Sequence, residues 1–148
     1  MDKELQNKLV KEYPIIFSEI GLSPQESCMA FGLEVGDGWY WIIDQLCSQL
    51  QFHTDVNNYP QVIVSQVKEK FGGLRFYVQS ANREQYDIIA FAERLSNSIC
   101  EQCGSTENVS KTKGGWITTL CDKCHIIRED EIKRQDKKCQ NLINQFPI

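Results

Sequence analysis

The sequence lacks several features that define common classes of protein. No apolar run approaches the roughly 20 residues that a membrane-spanning helix needs, and the first stretch, MDKELQNKLVKEY, is charged, which disfavours a secretory signal. Histidine occurs only as His53 and His125, and no nucleotide-binding glycine loop, serine-hydrolase motif or H-E-x-x-H motif is present. We therefore expect a cytoplasmic protein that does not contact membranes. The missing motifs favour a non-enzymatic protein but leave an unrecognised activity open.

An excess of basic charge is also missing. The chain has 16 lysines and arginines against 20 aspartates and glutamates, for a net charge of −4. A protein that coats a nucleic-acid backbone usually has the opposite balance, because it must neutralise phosphates. The charge therefore disfavours general nucleic-acid binding, although it does not exclude a local basic patch.

Cysteine, by contrast, is abundant for a chain expected in a reducing compartment, with seven residues in 148. Four of them form two pairs, in CEQCG and TLCDKC, with the spacing C-x2-C-x17-C-x2-C. Each pair can direct two sulfurs at one ion, and two pairs complete the tetrahedron that zinc prefers in closed structural sites. We predict one structural zinc ion bound by Cys100, Cys103, Cys121 and Cys124. Four protein ligands leave no coordination position for a reacting water molecule.

The residues around these pairs predict a particular order of elements. The stretch VSKTKGGWITTL predicts a hairpin that turns at Gly114 and Gly115, and HIIREDEIKRQDKKCQNLI predicts a helix. A knuckle, a hairpin and ligands at the start of a helix form a treble-clef zinc finger. The ligand spacing resembles that of GATA-type fingers, which implies a DNA-binding regulator. However, the predicted helix contains REDE, whose acids would meet phosphate unfavourably.

Before the zinc module, residues 1–99 predict an α+β core with a small antiparallel sheet. Helices are expected at residues 2–12, 38–51 and 82–99, with Asp37 and Asn82 as caps of the last two. A short strand is expected in MAFGLEV, and QVIVSQVKEKFGGLRFYVQS predicts a hairpin turning at FGG. Residues 100–148 then form the treble-clef module with its carboxy-terminal helix.

The predicted hairpin places cations and an aromatic ring together. In each strand the side chains alternate between faces, so Lys68 and Lys70 share one face, as do Arg75 and Tyr77. With GDGWY nearby, such a patch could hold a phosphate group or an acidic surface. The alternative is that the cations pair with Glu34, Asp37 or Glu69 and only connect elements of the fold. The candidate ligand-binding residues are Lys68, Lys70, Arg75, Tyr77, Trp39 and Asp37.

Most of the chain resembles a group of short proteins common in bacteriophage and prophage genomes. The resemblance is carried by SCMAFGLEVGDGWYWIIDQLC, VSQVKEKFGGLRFYV and the two cysteine pairs. That group is functionally uncharacterised, so the resemblance implies the cytoplasm of an infected or lysogenic bacterium and no catalytic residues. We predict a non-enzymatic, zinc-stabilised binding protein that acts on a host macromolecule. The alternatives are a protein that sequesters a phosphate-bearing nucleotide and a DNA-binding regulator, and the oligomeric state is open.

Overall fold

The computed structural model describes residues 1–145, with side chains through residue 140, and has a mixed α+β fold. The last three residues of the predicted 100–148 module lie outside the described residues. In chain order the elements are α1 (Lys3–Glu12), β1 (Leu33–Glu34), α2 (Tyr40–Asn57), β2 (Val64–Lys70), β3 (Gly73–Val78), α3 (Arg83–Leu95), β4 (Val109–Lys111), β5 (Thr119–Cys121) and α4 (Asp122–Gln145). Short 3-10 turns occupy Cys28–Phe31, Asp37–Trp39 and Ser96–Ser98. The predicted α+β class is confirmed.

The main sheet contains the three strands β1, β2 and β3, in that spatial order. Strands β2 and β3 form the predicted antiparallel hairpin, but β1 runs parallel to β2, with Leu33 opposite Val67. The strand expected in MAFGLEV is shorter than predicted because the Ser27 hydroxyl caps a 3-10 turn by accepting the Met29 N–H at 3.1 Å. Gly32 then turns the chain at φ 72°, and only Leu33 and Glu34 remain extended.

Helix α2 differs from the prediction at both ends. It begins at Tyr40 after the 3-10 turn and has no side-chain cap, because the Asp37 carboxylate accepts the Asp2 N–H at 2.6 Å instead. It continues to Asn57, well beyond residue 51, and ends where Asn58 adopts a left-handed conformation at φ 55°. One face of α2 packs into the core and buries Ile42, Ile43, Leu46, Cys47 and Leu50.

Helix α3 packs against α2 and β3 and has the predicted cap. The Asn82 side chain accepts the Gln85 N–H and the Gln85 side chain accepts the Asn82 N–H, both at 2.9 Å, which forms a capping box. The helix ends at Leu95, before the 3-10 turn that leads to Ile99, and is therefore shorter than the predicted range of residues 82–99.

The buried hydrophobic side chains among residues 1–140 form two clusters along the chain. The larger one runs from Leu9 to Ile99, and the smaller one surrounds the four paired cysteines with Leu120 and Val109. Within residues 1–145 no helix combines the length and the apolar character needed to cross a membrane. The division into residues 1–99 and 100–148 stays a prediction, and the contacts between the two parts are described below.

Candidate metal centre

The sulfur atoms of Cys100, Cys103, Cys121 and Cys124 form one compact cluster. All four Sγ atoms lie within 4.8 Å of one another, and the Cys103 and Cys121 sulfurs are 3.7 Å apart. A tetrahedral zinc ion with Zn–S bonds of about 2.3 Å separates its sulfurs by about 3.8 Å. The cluster can therefore hold one zinc ion. Cys103 is exposed, whereas the other three cysteines are buried.

The first pair lies on a tight turn that is specified locally. The Gly104 N–H donates to the Cys100 carbonyl at 2.8 Å, and the Cys100 N–H donates to the Ser105 carbonyl at 2.8 Å. The Ser105 N–H also donates to the Cys103 sulfur. Gly104 has φ 78°, in the left-handed region that favours glycine. The hydrogen bond from Ser105 favours the Cys103 thiolate, but burial and the neighbouring sulfurs of Cys100 and Cys121 outweigh it and raise the pKa of Cys103.

The second pair lies where strand β5 meets helix α4. Cys121 is the last residue of β5, and Cys124 lies in the first turn of α4. The Cys124 N–H donates to the Cys121 sulfur and lowers the pKa of Cys121 to about 7. Burial and the neighbouring sulfurs raise the pKa of Cys124, so this group needs a bound cation to persist as a thiolate at neutral pH. Metal binding here should consequently release protons.

The GDGW stretch forms a seat for the first cysteine turn. The Gly38 N–H donates to the Glu101 carbonyl at 2.8 Å. A Cβ atom on Gly38 would lie 2.2 Å from the Cys100 carbonyl oxygen and 2.4 Å from the Gly104 nitrogen, and one on Gly36 would lie 2.3 Å from the Glu101 carbonyl oxygen. Both positions therefore require glycine because the two backbones approach too closely for any side chain.

Trp39 and Asp37 belong to this seat and do not join the predicted cationic patch. Trp39 has no exposed surface, and its indole N–H donates to the Ile99 carbonyl at 2.9 Å, one residue before Cys100. Asp37 is exposed at the start of the same 3-10 turn, with its carboxylate bound to the Asp2 N–H. Trp39 therefore stabilises the approach of the chain to the first metal-binding turn.

Glu101, between the first two cysteines, is a buried acid that no pattern in the sequence singles out. It is 8% exposed, and its Oε1 accepts the Gly36 N–H at 3.0 Å. Its own N–H donates to the Thr119 carbonyl at 2.9 Å, which ties the first cysteine turn to β5. Burial raises the pKa of Glu101, and the hydrogen bond from Gly36 opposes that rise. Among the described residues, its Oε2 is a buried oxygen without a hydrogen-bond partner.

The turn of the β2–β3 hairpin is a further attachment of the metal-binding part. The Lys111 ammonium donates to the Phe71 carbonyl at 2.9 Å, and the Thr119 hydroxyl donates to the Gly72 carbonyl. The metal-binding part is thus held by the end of α3, by the GDGW seat and by this turn. In the sequence, only the closely spaced glycines of GDGW and FGG indicate that backbones could approach each other closely at these places.

Four of the six candidate ligand-binding residues do lie together. Lys68 is directly opposite Arg75 in the hairpin, and the Lys68 ammonium is 5.6 Å from the centre of the Tyr77 ring. Lys70 extends toward Phe71, at 5.7 Å from its ring centre, and Arg75 Nη1 donates to the Leu74 carbonyl at 2.7 Å. Within the described residues the one ion pair is Lys133–Asp130, so the expected pairing of the patch with Glu34, Asp37 or Glu69 does not occur there.

The histidines and the remaining cysteines lie elsewhere. His125 Nε2 lies 3.1 Å from the Ser110 hydroxyl of β4 and is occupied outside the cysteine cluster. His53 lies on α2, beyond the predicted end of that helix at residue 51, and its Nδ1 is 2.6 Å from the Asn57 amide nitrogen. Burial raises the pKa of Cys47 well above its ordinary value, so this thiol is a core residue. Cys28 and Cys139 are exposed and free.

The fold and the cluster define a mixed α+β protein with four clustered cysteines in its carboxy-terminal part that can hold a metal ion. In comparisons with known proteins, no family model, no curated protein and no solved structure matches the chain. The interpretation of its function therefore depends on the geometry of its own residues.

Proposed function

We propose that this chain is a non-enzymatic binding protein in which one structural zinc ion stabilises a treble-clef module. The observation that carries the proposal is the compact set of four sulfurs within 4.8 Å of one another. Four thiolates complete the tetrahedral coordination of zinc and leave no position for a reacting water. The order of first cysteine turn, β4–β5 hairpin and helix α4 supports the treble-clef assignment.

The exposed aromatic residues support a role in binding. Trp116, at the tip of the β4–β5 hairpin, is 71% exposed, and Phe71, at the tip of the β2–β3 hairpin, is 67% exposed. Large aromatic side chains often supply the main contacts of binding surfaces. Together with the resemblance to phage and prophage proteins, this favours a phage-encoded protein that binds a macromolecule of its host in the cytoplasm.

A capture experiment with matched variants tests this function. The zinc-loaded protein, Trp116→Ala and Trp41→Ala are immobilised and exposed to a bacterial lysate, and the retained protein and nucleic acid are identified. Trp41 is a suitable control because it is also exposed, at 60%, but belongs to α2. We expect Trp116→Ala to lose a macromolecule that the other two retain. Equal retention by all three proteins, or no specific retention by any, would contradict the proposal.

A second candidate is a small phosphate-bearing ligand bound by the outer face of the β2–β3 hairpin. It is favoured by the facing cations Lys68 and Arg75, neither of which has a carboxylate within 4.0 Å among the described residues. Calorimetric titration with ATP should then give binding that Arg75→Ala removes and Arg83→Ala, on α3, leaves unchanged. Absence of heat with the wild-type protein would eliminate this candidate. Duplex DNA reading gains no support, because α4 exposes the acids of its REDE stretch.

A further inference from the structure

Phe71 and Trp116 frame a cleft between the tips of the two hairpins. The cleft has a volume of about 220 Å³ and is lined by Glu69, Lys70, Phe71, Gly115, Trp116 and Ile117. The hydrogen bonds from Lys111 to the Phe71 carbonyl and from Thr119 to the Gly72 carbonyl connect the hairpins behind it. The two aromatic residues are therefore held across a preformed gap, which we call the Phe71/Trp116 cleft.

Phe71 and Gly72 are the two central residues of the β2–β3 turn, and the hairpin requires positive φ at both, but it does not require phenylalanine at the first. The φ of Phe71, 53°, lies in the left-handed region, which is unfavourable for a bulky side chain. Because 67% of its surface is exposed, burial of the ring contributes little in return. Non-glycine residues held in the left-handed region are concentrated at active sites and ligand-binding sites. Recognition of a ligand would account for a phenylalanine at this position.

Cations lie on both sides of the two rings. Lys70 borders the Phe71/Trp116 cleft. Trp116 also lines a neighbouring cleft of about 400 Å³, and the cations that border this second cleft are Lys111, Lys113 and Arg128.

Fewer carboxylates than cations border the Phe71/Trp116 cleft and the neighbouring one. Glu69 borders the Phe71/Trp116 cleft but accepts the Gly72 N–H at 2.6 Å, and Glu129 borders the neighbouring one. Glu34 and Glu101 border a third cleft, which Trp116 also lines but Phe71 and Lys70 do not. Four cations border the two shared clefts against two acids, and two of the cations, Lys111 and Arg128, also donate to the Phe71 and Trp116 carbonyls. This excess of positive charge makes the surroundings of the two clefts attractive to an anionic ligand.

We propose that the Phe71/Trp116 cleft binds a base of single-stranded nucleic acid, with the adjacent phosphates contacting Lys70 on one side and Lys111 and Lys113 on the other. This deepens the proposed function, on which it rests, by naming the macromolecule. Base stacking on aromatic side chains and lysines beside the backbone are how proteins bind single strands without reading sequence. Contact with only two or three phosphates is compatible with a net charge of −4.

The size of the cleft favours nucleic acid over a protein partner. A specific protein interface uses about 20 to 30 residues on each side. The cleft has six lining residues on two narrow tips, which is enough area for one stacked ring. A single stacked base needs no larger surface, because an aromatic residue alone changes affinity substantially.

Fluorescence anisotropy with a fluorescein-labelled oligothymidylate of about 12 nucleotides tests the proposal. Trp116→Ala should weaken binding by about 5- to 150-fold, the range expected for one stacked base. Phe71→Gly should weaken it similarly while keeping the fold, because glycine accepts the left-handed conformation. Trp41→Ala should bind like the wild type. Circular dichroism and zinc content establish that each variant is folded.

Salt dependence tests the role of the lysines. Each phosphate contact with a single strand contributes about −0.7 to the slope of log K against log salt, so two or three contacts predict about 7- to 18-fold weaker binding between about 50 and 200 mM salt. Lys113→Ala should reduce the slope by about 0.7. Lys8→Ala, which changes an exposed lysine on α1, should leave the slope unchanged.

Two outcomes would overturn the proposal: no oligothymidylate binding by folded, zinc-loaded protein at low salt, or equal weakening by Trp116→Ala and Trp41→Ala. A protein captured from lysate through Trp116, without oligothymidylate binding, would refute nucleic acid as the partner and leave the proposed binding function intact. Failure of this experiment is therefore distinguishable from failure of the proposed function.

Discussion

The contact between Gly38 and the first cysteine turn predicts a large effect from one added methyl group. In Gly38→Ala the new Cβ atom would lie 2.2 Å from the Cys100 carbonyl oxygen, 2.4 Å from the Gly104 nitrogen and 2.7 Å from the Glu101 carbonyl oxygen. All three are backbone atoms of the turn that carries Cys100 and Cys103. Relief therefore requires that turn to move away from the GDGW seat, because no side chain can rotate out of the way.

The cost can be estimated from the contacts that would change. Displacement lengthens the hydrogen bond from the Gly38 N–H to the Glu101 carbonyl, now 2.8 Å, whose loss costs about 1 kcal/mol. Residual crowding in a well-packed region adds about 1 to 3 kcal/mol. In a chain of this size each kcal/mol lowers Tm by about 2 to 4 °C, so the free energy of unfolding should fall enough to lower Tm by roughly 5 to 15 °C.

Thermal unfolding followed by circular dichroism measures this shift, and transfer of zinc to a chromophoric chelator should be faster for the variant. Gly73→Ala is the matched control. Its Cβ would meet Arg75 Nη1, the end of a flexible side chain, at 3.1 Å, and no backbone atom closer than 3.6 Å. If Gly38→Ala melted and released zinc like Gly73→Ala, the GDGW stretch would not be the seat of the metal centre.

Two further predictions concern the α3 cap and the free cysteines. Asn82→Ala removes one half of the capping box and should lower the free energy of unfolding by about 1 kcal/mol in chemical denaturation. Asn82→Asp should retain most of the stability, because aspartate is also a good helix cap. Equal losses in both variants would show that the cap is unimportant. Iodoacetamide should modify the exposed Cys28 and Cys139 of the zinc-loaded protein, and the four paired cysteines only after chelation, as mass spectrometry of digested protein can establish. Cys47 is buried and should react last, so early modification of Cys47 would contradict the described core.

The features that could be predicted from the sequence are those that depend on residues close together in the chain. The cysteine spacing predicted the cluster because each pair lies on one short turn, and the structure brings the pairs together. The FGG and KGG turns and the Asn82 cap were also predicted correctly, since glycine conformation and capping are local properties.

Features that depend on distant contacts could not be predicted. The GDGWY stretch was placed beside the candidate ligand patch, because nothing nearby in the sequence indicates that residues 100–104 pack on Gly36 and Gly38. Trp39 was assigned to the same patch, yet it donates its indole N–H to Ile99, 60 residues later. The parallel pairing of β1 with β2 likewise depends on a contact between distant segments.

The most direct test of the central claim is the metal content of purified protein, measured by elemental analysis together with native mass spectrometry. The account predicts one zinc ion per chain. Cys124→Ser should lose both the zinc ion and the cooperative unfolding transition of the carboxy-terminal part, whereas Cys139→Ser should retain them. A folded wild-type protein without metal, or a Cys124→Ser variant that keeps both zinc and stability, would contradict the claim.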